Sequence, residues 1–454
     1  MPARHPAVVR DILALTAVAL TANLIGLGSK SLWLDEATSV GYAMLGPRIV
    51  LSDLVQRDPN MALYYLLLSL WVKLFGSGEV AVRLPSALCA ALTAPVTYLI
   101  GRRLFDRRSG VLAGLLTGAG AFVVSYGQTA RGYTLLVLLL CLATLFLVMD
   151  IERPSRLTKA GYVLAAVLAF HVHFFAALVV AAHAIALVVI TRTKALSAGY
   201  LGAGLAVAVL CAPILLLASR DSAVGLLWLR RPGVTALVRM FADWAGGDLV
   251  LLALLCAGSV VALSQARSAG RVDAVVLLTT WLVIPVSAAF LLSQARPLFH
   301  PRYLIGSLPA LMLLAAAGQA GLRSRTVAGL ATMSALLLSA AGVASWYRRQ
   351  GGENWRDAVA FIRESAQPGE GVVLVPFYLS SAFDYYAERP GGPDLENLFE
   401  KPVSERDRVW LISGTAHAAF RREEAQGARS ALTTHRLERF ASYRGVEIEF
   451  YVRR

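Results

Sequence analysis

The chain has 454 residues, 57% of them hydrophobic and only 16% charged, with a formal net charge of +14 and a mean hydropathy of +0.61. Apolar runs close to the ~20 residues that cross a bilayer core recur along most of its length, which excludes an ordinary soluble globular domain and marks a polytopic membrane protein. Most of the basic excess sits in short loops between those runs, where the positive-inside bias places it, so no nucleic-acid partner is expected.

In chain order, Arg4 and Arg10 precede an apolar run from Ile12 to Gly28. No convincing cleavage site follows, so the run reads as a retained first helix. The stretch "SKSLWLDEATSV" (29–40) then places Asp35 and Glu36 directly beyond it. "MALYYLLLSLWVKLFG" (61–76) is apolar but short, and counting loops suggests that it lies at the interface or dips in and returns, with Lys73 snorkelling. Residues 29 to about 83 thus read as one elaborate outer loop. "GRRLFDRR" (101–108), "ERPSRLTK" (152–159), "TRTK" (191–194), "QARSAGR" (265–271) and "GLRSR" (321–325) read as cytoplasmic. Alternation then assigns the outer turns to 125–131, 171–175, about 219–247 and 293–303. Region 160–190 is short for two crossings and long for one; two short helices meeting at His171–Phe175 preserve the alternation. "GAGLAV" (202–207) is helix-packing Gly and Ala. The four cysteines, Cys89, Cys141, Cys211 and Cys256, lie inside apolar segments and read as small buried hydrophobes.

The expected fold is a polytopic α-helical membrane protein of about eleven transmembrane helices, multi-pass in the cell membrane, N-terminus cytoplasmic. Residues 1–347 form the membrane module and 348–454 a small extracytoplasmic α/β domain. In the latter, "NWRDAVAFIRESAQPGEGVVLVP" predicts a helix, a Pro-Gly turn and a buried strand. "FYLSSAFDYYAERPG" predicts a second helix, and 407–414 and "EIEFYVRR" two further strands.

This threading collects the unusual polar residues on the outer face: Asp35, Glu36, Asp58, Asn60, Gln128, Arg131, His171, His173, His300, Arg302 and Tyr303. Polar groups near membrane depth are costly and usually functional. Each also has a plainer explanation. Asp35 is placed to cap a helix beginning at Glu36 or Ala37. The arginines suit interface anchors, the histidines helix ends, and Asp58-Pro59 a turn. Together, carboxylates and arginines on one face suit group transfer: a carboxylate takes the proton of an attacking hydroxyl while arginines hold a phosphate leaving group.

Six segments in order resemble the GT-C glycosyltransferases, in particular the dolichyl-phosphate-mannose protein mannosyltransferase and aminoarabinose transferase group (family 39-like). These are "LWLDEATSV", "DPNMALYYLLLSLWVKLFG", the helix and basic loop from Val82, "QTARGYTLLVLL", "HVHFFA" and "PRYLIGSLPAL". The resemblance spans roughly 10–350 and implies inverting transfer of a sugar from a polyprenyl-phosphate donor to a glycan, lipid or protein hydroxyl on the outer face. It implies Asp35 as catalytic base with Glu36 in support, Arg131 and Arg302 on the donor phosphate, and Asp58, Asn60, Tyr64, His173, His300 and Tyr303 lining the substrate site. Asn60 stands where the family pattern has His, and Met61-Ala62 replaces Pro-Pro, so a charged role at that position is lost. No cofactor is required; an acidic pair can hold a divalent cation, but a monophosphate held by arginines does not need one. The competing functions are a transporter or flippase of a lipid-linked saccharide, and a structural assembly subunit.

Overall fold

The computed structural model describes residues 5–54, 60–191, 198–218, 229–349, 351–388, 392–393, 395–398, 403, 406–414 and 418–454. The chain forms two compact units, each discontinuous in sequence. One comprises 1–25, 46–70 and 83–348, the other 26–45, 71–82 and 349–454. The C-terminal residues therefore share a unit with two stretches of the expected outer loop, one of which carries Asp35 and Glu36.

Up to Arg348 the principal elements are helices: α1 (His5–Leu24), α2 (Leu34–Met44), α3 (Ala62–Phe75), α4 (Glu79–Leu104), α5 (Arg107–Gly118), α6 (Ala121–Gly127), α7 (Tyr133–Glu152), α8 (Arg156–Val172), α9 (Ala176–Thr191), α10 (Ala198–Ala218), α11 (Val234–Trp244), α12 (Leu249–Gln265), α13 (Val272–Ala295), α14 (Leu308–Ala320) and α15 (Arg325–Arg348). Six of them are long and apolar enough to cross a membrane, and the bent pairs α5–α6 and α11–α12 raise that to eight among the described residues. The expected eleven exceeds that number; among the described residues the shorter apolar helices are α3, α9 and, with the turn before it, α14. Region 160–190 is indeed two helices broken at 173–175. At 1.5 Å per residue, α3 is about 21 Å long, short of the ~30 Å hydrocarbon core.

Local chemistry sets the helix starts. Asp106, Ser155 and Asp248 cap α5, α8 and α12 by accepting from Ser109, Thr158 and Leu251 N–H at 2.9, 3.0 and 2.8 Å. Many large apolar side chains remain exposed, Leu13, Leu205, Leu216, Leu291 and Leu337 among them, as lipid-facing helices require. Where helices meet, small residues set the spacing: a Cβ on Gly318 would lie 1.7 Å from the Gly258 carbonyl oxygen. Three of the basic loops come to one end of this unit, because Arg103 pairs with Glu152, Lys159 with Asp150 at 2.8 Å, and Arg271 with Asp106 at 3.6 Å.

In the other unit, α16 (Trp355–Ser365), β1 (Glu370–Val375), α17 (Ser380–Ala387), β2 (Leu395–Asn397), β3 (Arg408–Gly414), α18 (Ala418–Ala431), β4 (His435–Tyr443) and β5 (Val446–Arg453) follow in order. The strands form a mixed sheet, β2-β1-β3-β5-β4, with β1 parallel to β2 and β3 and the other pairs antiparallel. Val375, Leu398, Val409, Leu411 and Leu432 form one side of its core. The expected helix, turn and strand over 354–376, the second helix and both further strands are present. The sequence reading passed over β2, α18 and β4.

Two predictions follow from this packing. Gly318→Val is expected to cost at least about 1–3 kcal/mol, since backbone rather than a movable side chain blocks the new atoms. Thermal unfolding in detergent would show it, and an unchanged midpoint would contradict the close α12–α14 approach. Burial, then the charge of Glu388, raise the Asp384 carboxyl to about 6. The folded state thus binds this proton more tightly than the unfolded chain, and its contribution to stability is lost as pH rises from about 4 to about 6. Asp384→Asn should therefore raise the unfolding temperature near pH 7.5 and leave it unchanged near pH 4; equal effects at both would refute the shift.

Candidate functional site

In the larger unit the three turns at 125–131, 171–175 and 293–303 deliver a compact polar cluster. Arg131 lies in the turn before α7, and Gly132 is pressed between Tyr64 Cβ and Val172 Cγ1, a Cβ there meeting both at 3.1 Å. Arg131 Nη1 donates to the Tyr65 hydroxyl at 3.0 Å, and Ser86 Oγ donates to the Arg131 carbonyl at 3.0 Å. The guanidinium carbon stands 5.9 Å from the Tyr133 ring centroid. Arg302 approaches that same ring, also to 5.9 Å, and lies 5.4 Å from the ring of its neighbour Tyr303. Two guanidinium groups thus stand within cation–π reach of one phenol ring.

His173 is 2% exposed and sits in this cluster, its ring 6.0 Å from Tyr133 and 5.3 Å from Tyr303. The charges of Arg131 and Arg302 both act on it. The Phe175 N–H donates to His173 Nδ1 at 3.2 Å, so the neutral ring carries its proton on Nε2. That Nε2 is buried and has no hydrogen-bond partner among the described residues. A buried donor left so costs stability and calls for an explanation. The turn is clamped by Asn60, whose Oδ1 accepts from the Phe174 N–H at 3.3 Å. Tyr303 is the ring hub, within 5.5 Å of Phe175 and 5.4 Å of His300. His300 Nδ1 accepts from the Arg302 N–H at 3.3 Å, shaping the turn that presents the guanidinium.

The smaller unit holds the acidic pair. Helix α2 starts at Leu34 with Trp33 as its N-cap, so Asp35 is its second residue and Glu36 its third. The capping alternative for Asp35 therefore fails, because Glu36 does that work: 1% exposed, it accepts from the Trp33 N–H at 3.4 Å. Glu353 accepts the next orphan donor, the Leu34 N–H, at 3.0 Å. Asp35 is half-buried in the first turn, where the helix dipole favours a carboxylate.

Of the residues read from the sequence, Asn60, Tyr64, Arg131, His173, His300, Arg302 and Tyr303 all lie in the larger unit, and Asp35 and Glu36 in the smaller. Asp58 lies outside the described residues. Tyr64 is buried with its hydroxyl 3.2 Å from Ser86 Oγ, and it is the neighbouring Tyr65 that meets Arg131. Gln128 serves as a tie, donating to the Ile25 carbonyl at 2.7 Å and accepting from Trp346 Nε1 at 2.8 Å. His171 bonds the Val167 carbonyl at 2.8 Å, the helix-end arrangement. Tyr65 and Tyr133 were missed; tyrosines inside apolar runs look like packing until the fold brings cations to them. Among the described residues no group of three or more His, Cys, Asp or Glu side chains is placed to hold a metal ion.

The fold defines a class: it is shared with multi-pass membrane proteins of the GT-C glycosyltransferase fold. ArnT from Cupriavidus metallidurans in the apo state superposes with a TM-score of 0.62 at 14% identity, covering 98% of each chain. The same protein bound to undecaprenyl phosphate gives 0.59 at 14% identity, covering 97% of each. Archaeal oligosaccharyltransferase AglB from Archaeoglobus fulgidus, in complex with an inhibitory peptide and a dolichol-phosphate, gives 0.58 at 12% identity over 100% of this chain and 75% of that one. Within the class, the model of the dolichyl-phosphate-mannose-protein mannosyltransferase family matches residues 59–216. The chain thus has the fold of these membrane glycosyltransferases, and the family model matches about a third of it, within the stretch where its motifs show the resemblance. No curated protein matches it by sequence.

Proposed function

We propose that the chain transfers a sugar from a polyprenyl-phosphate donor to an acceptor hydroxyl on the outer face of the membrane, with inversion and with Asp35 as general base. The observation that carries this reading is the orphaned Nε2–H of His173 beside two guanidinium groups on the Tyr133 ring. A cluster with a fixed N–H donor and two guanidinium groups suits a phosphate monoester, which offers several acceptor oxygens and at least one negative charge. ArnT bound to undecaprenyl phosphate and AglB with a dolichol-phosphate are fold neighbours whose ligands have that chemistry.

In this mechanism the acceptor oxygen attacks the anomeric carbon from the face opposite the phosphate, and its proton passes to Asp35. The bond from the anomeric carbon to the phosphate oxygen breaks, and the electron pair leaves with the phosphate. Arg131, Arg302 and the His173 N–H stabilise the charge that grows there, an effect larger in the transition state than in the ground state. One direct displacement inverts the anomeric configuration. Glu36 serves Trp33 as a cap, and in this reading the half-buried Asp35 takes the proton.

Two measurements test this. Incubated with a panel of polyprenyl-phosphate-linked hexoses and pentoses, the purified wild type should consume at least one, and Asp35→Asn should lower that rate by about 10²–10⁴-fold, the usual worth of a general base. Normal turnover by the variant would remove Asp35 from the mechanism. Arg302→Gln should weaken binding of polyprenyl phosphate by about 10–100-fold, the loss expected of one charge-assisted contact. Undiminished affinity would place the phosphate elsewhere.

A further inference from the structure

Within the smaller unit, the segment Glu353–Arg356 grips the helix that carries the proposed base. Glu353 is 6% exposed, and its Oε2 accepts both the Leu34 N–H at 3.0 Å and the Trp355 indole N–H at 2.7 Å. Leu34 immediately precedes Asp35. The carboxylate is held from behind by the β4–β5 turn. Gly445 there has φ of +75°, and a Cβ on it would fall 2.9 Å from Glu353 Cγ and 3.0 Å from the Gly352 carbonyl oxygen. The Asn354 N–H donates to the Arg444 carbonyl in that same turn at 2.8 Å.

Arg356 extends the grip along the segment leading into α2. Its Nη2 donates to the carbonyls of Gly28 and Lys30 at 3.0 and 3.2 Å, and its guanidinium is paired with Glu79. Its backbone N–H donates to Ser31 Oγ at 3.2 Å. The Tyr386 hydroxyl accepts the Leu32 N–H at 2.7 Å and donates to Glu79. Residues 28, 30, 31, 32 and 34 are thus each bonded to a side chain or backbone group of the C-terminal segment.

We propose that Glu353, oriented by Trp355 and backed by Gly445, is a positioning residue for transfer: it fixes the first turn of α2 and thereby the direction of Asp35. The proposal rests on the assignment of Asp35 as base. It gives the C-terminal segment a part in the chemical step, beyond contact with an acceptor. General-base catalysis depends on the acceptor proton lying within hydrogen-bond reach of the carboxylate, and a first turn without its cap frays. A one-ångström displacement at such a site lowers rate about a hundredfold.

The test uses the full chain in nanodiscs, with the polyprenyl-phosphate sugar that the wild type consumes. Glu353→Ala should lower kcat by about 10–100-fold with the donor KM within about twofold, because the binding groups remain. Glu353→Gln keeps an oxygen that accepts the Leu34 N–H and should restore most of the rate. Trp355→Phe removes only the orienting indole N–H and should reduce kcat by a few-fold, which supplies the test if the alanine variant fails to fold. Hydrogen exchange at residues 33–37 should quicken in Glu353→Ala and stay slow in Glu353→Gln. If Asp35→Asn is inactive while Glu353→Ala turns over normally, the positioning role is refuted and the base stands. If Asp35→Asn is active, or the wild type consumes no donor, the base falls and the positioning claim with it. Unchanged exchange at 33–37 refutes the grip itself.

Discussion

In hydrocarbon every polar group must find its partner within the protein, and this constraint organises the larger unit. Backbone groups are satisfied by helices, and side-chain ties such as Gln128 to Ile25 and Trp346 satisfy several of the rest. Against that background, a buried histidine donor with no partner among the described residues, beside two arginines near a single tyrosine ring, is a departure from economy. Such departures persist where a ligand supplies what the protein withholds. The wall of Tyr133, His173, Phe175 and Tyr303 lowers the local dielectric, so the same charges act more strongly on a bound anion.

A different logic governs the smaller unit. In its acidic pair Glu36 closes the helix start, and the helix and the segment leading into it are fastened by residues more than 300 positions away in sequence. Asn60 belongs to the larger unit: where the motif it resembles has His, this chain uses the amide oxygen to clamp the 173–175 turn beside His173.

Much of this was legible in sequence because hydropathy and loop charge carry so strong a signal in membrane proteins. The break at 171–175 followed from parity alone, and the Pro-Gly turn announced the change to an α/β fold. Strand β4 escaped because it is an exposed edge with little apolar face, and α18 because its sequence is polar with a glycine inside it. Tyr65 and Tyr133 escaped since a tyrosine in a helix of leucines looks like packing. Glu353 was invisible for a different reason: its partner, the Leu34 N–H, is a backbone group, and no sequence pattern records that a distant carboxylate will cap a particular helix.

The central claim is that a lipid-linked phosphate sits among Arg131, His173 and Arg302. Photocrosslinking tests it most directly, using polyprenyl phosphate with a diazirine on the isoprene unit nearest the phosphate and peptide mapping of the labelled wild-type protein. The account predicts labels concentrated in the turns around 126–135, 171–177 and 298–304, displaced by excess unlabelled polyprenyl phosphate. Labelling that avoids all three turns, or that excess lipid phosphate does not displace, would contradict it.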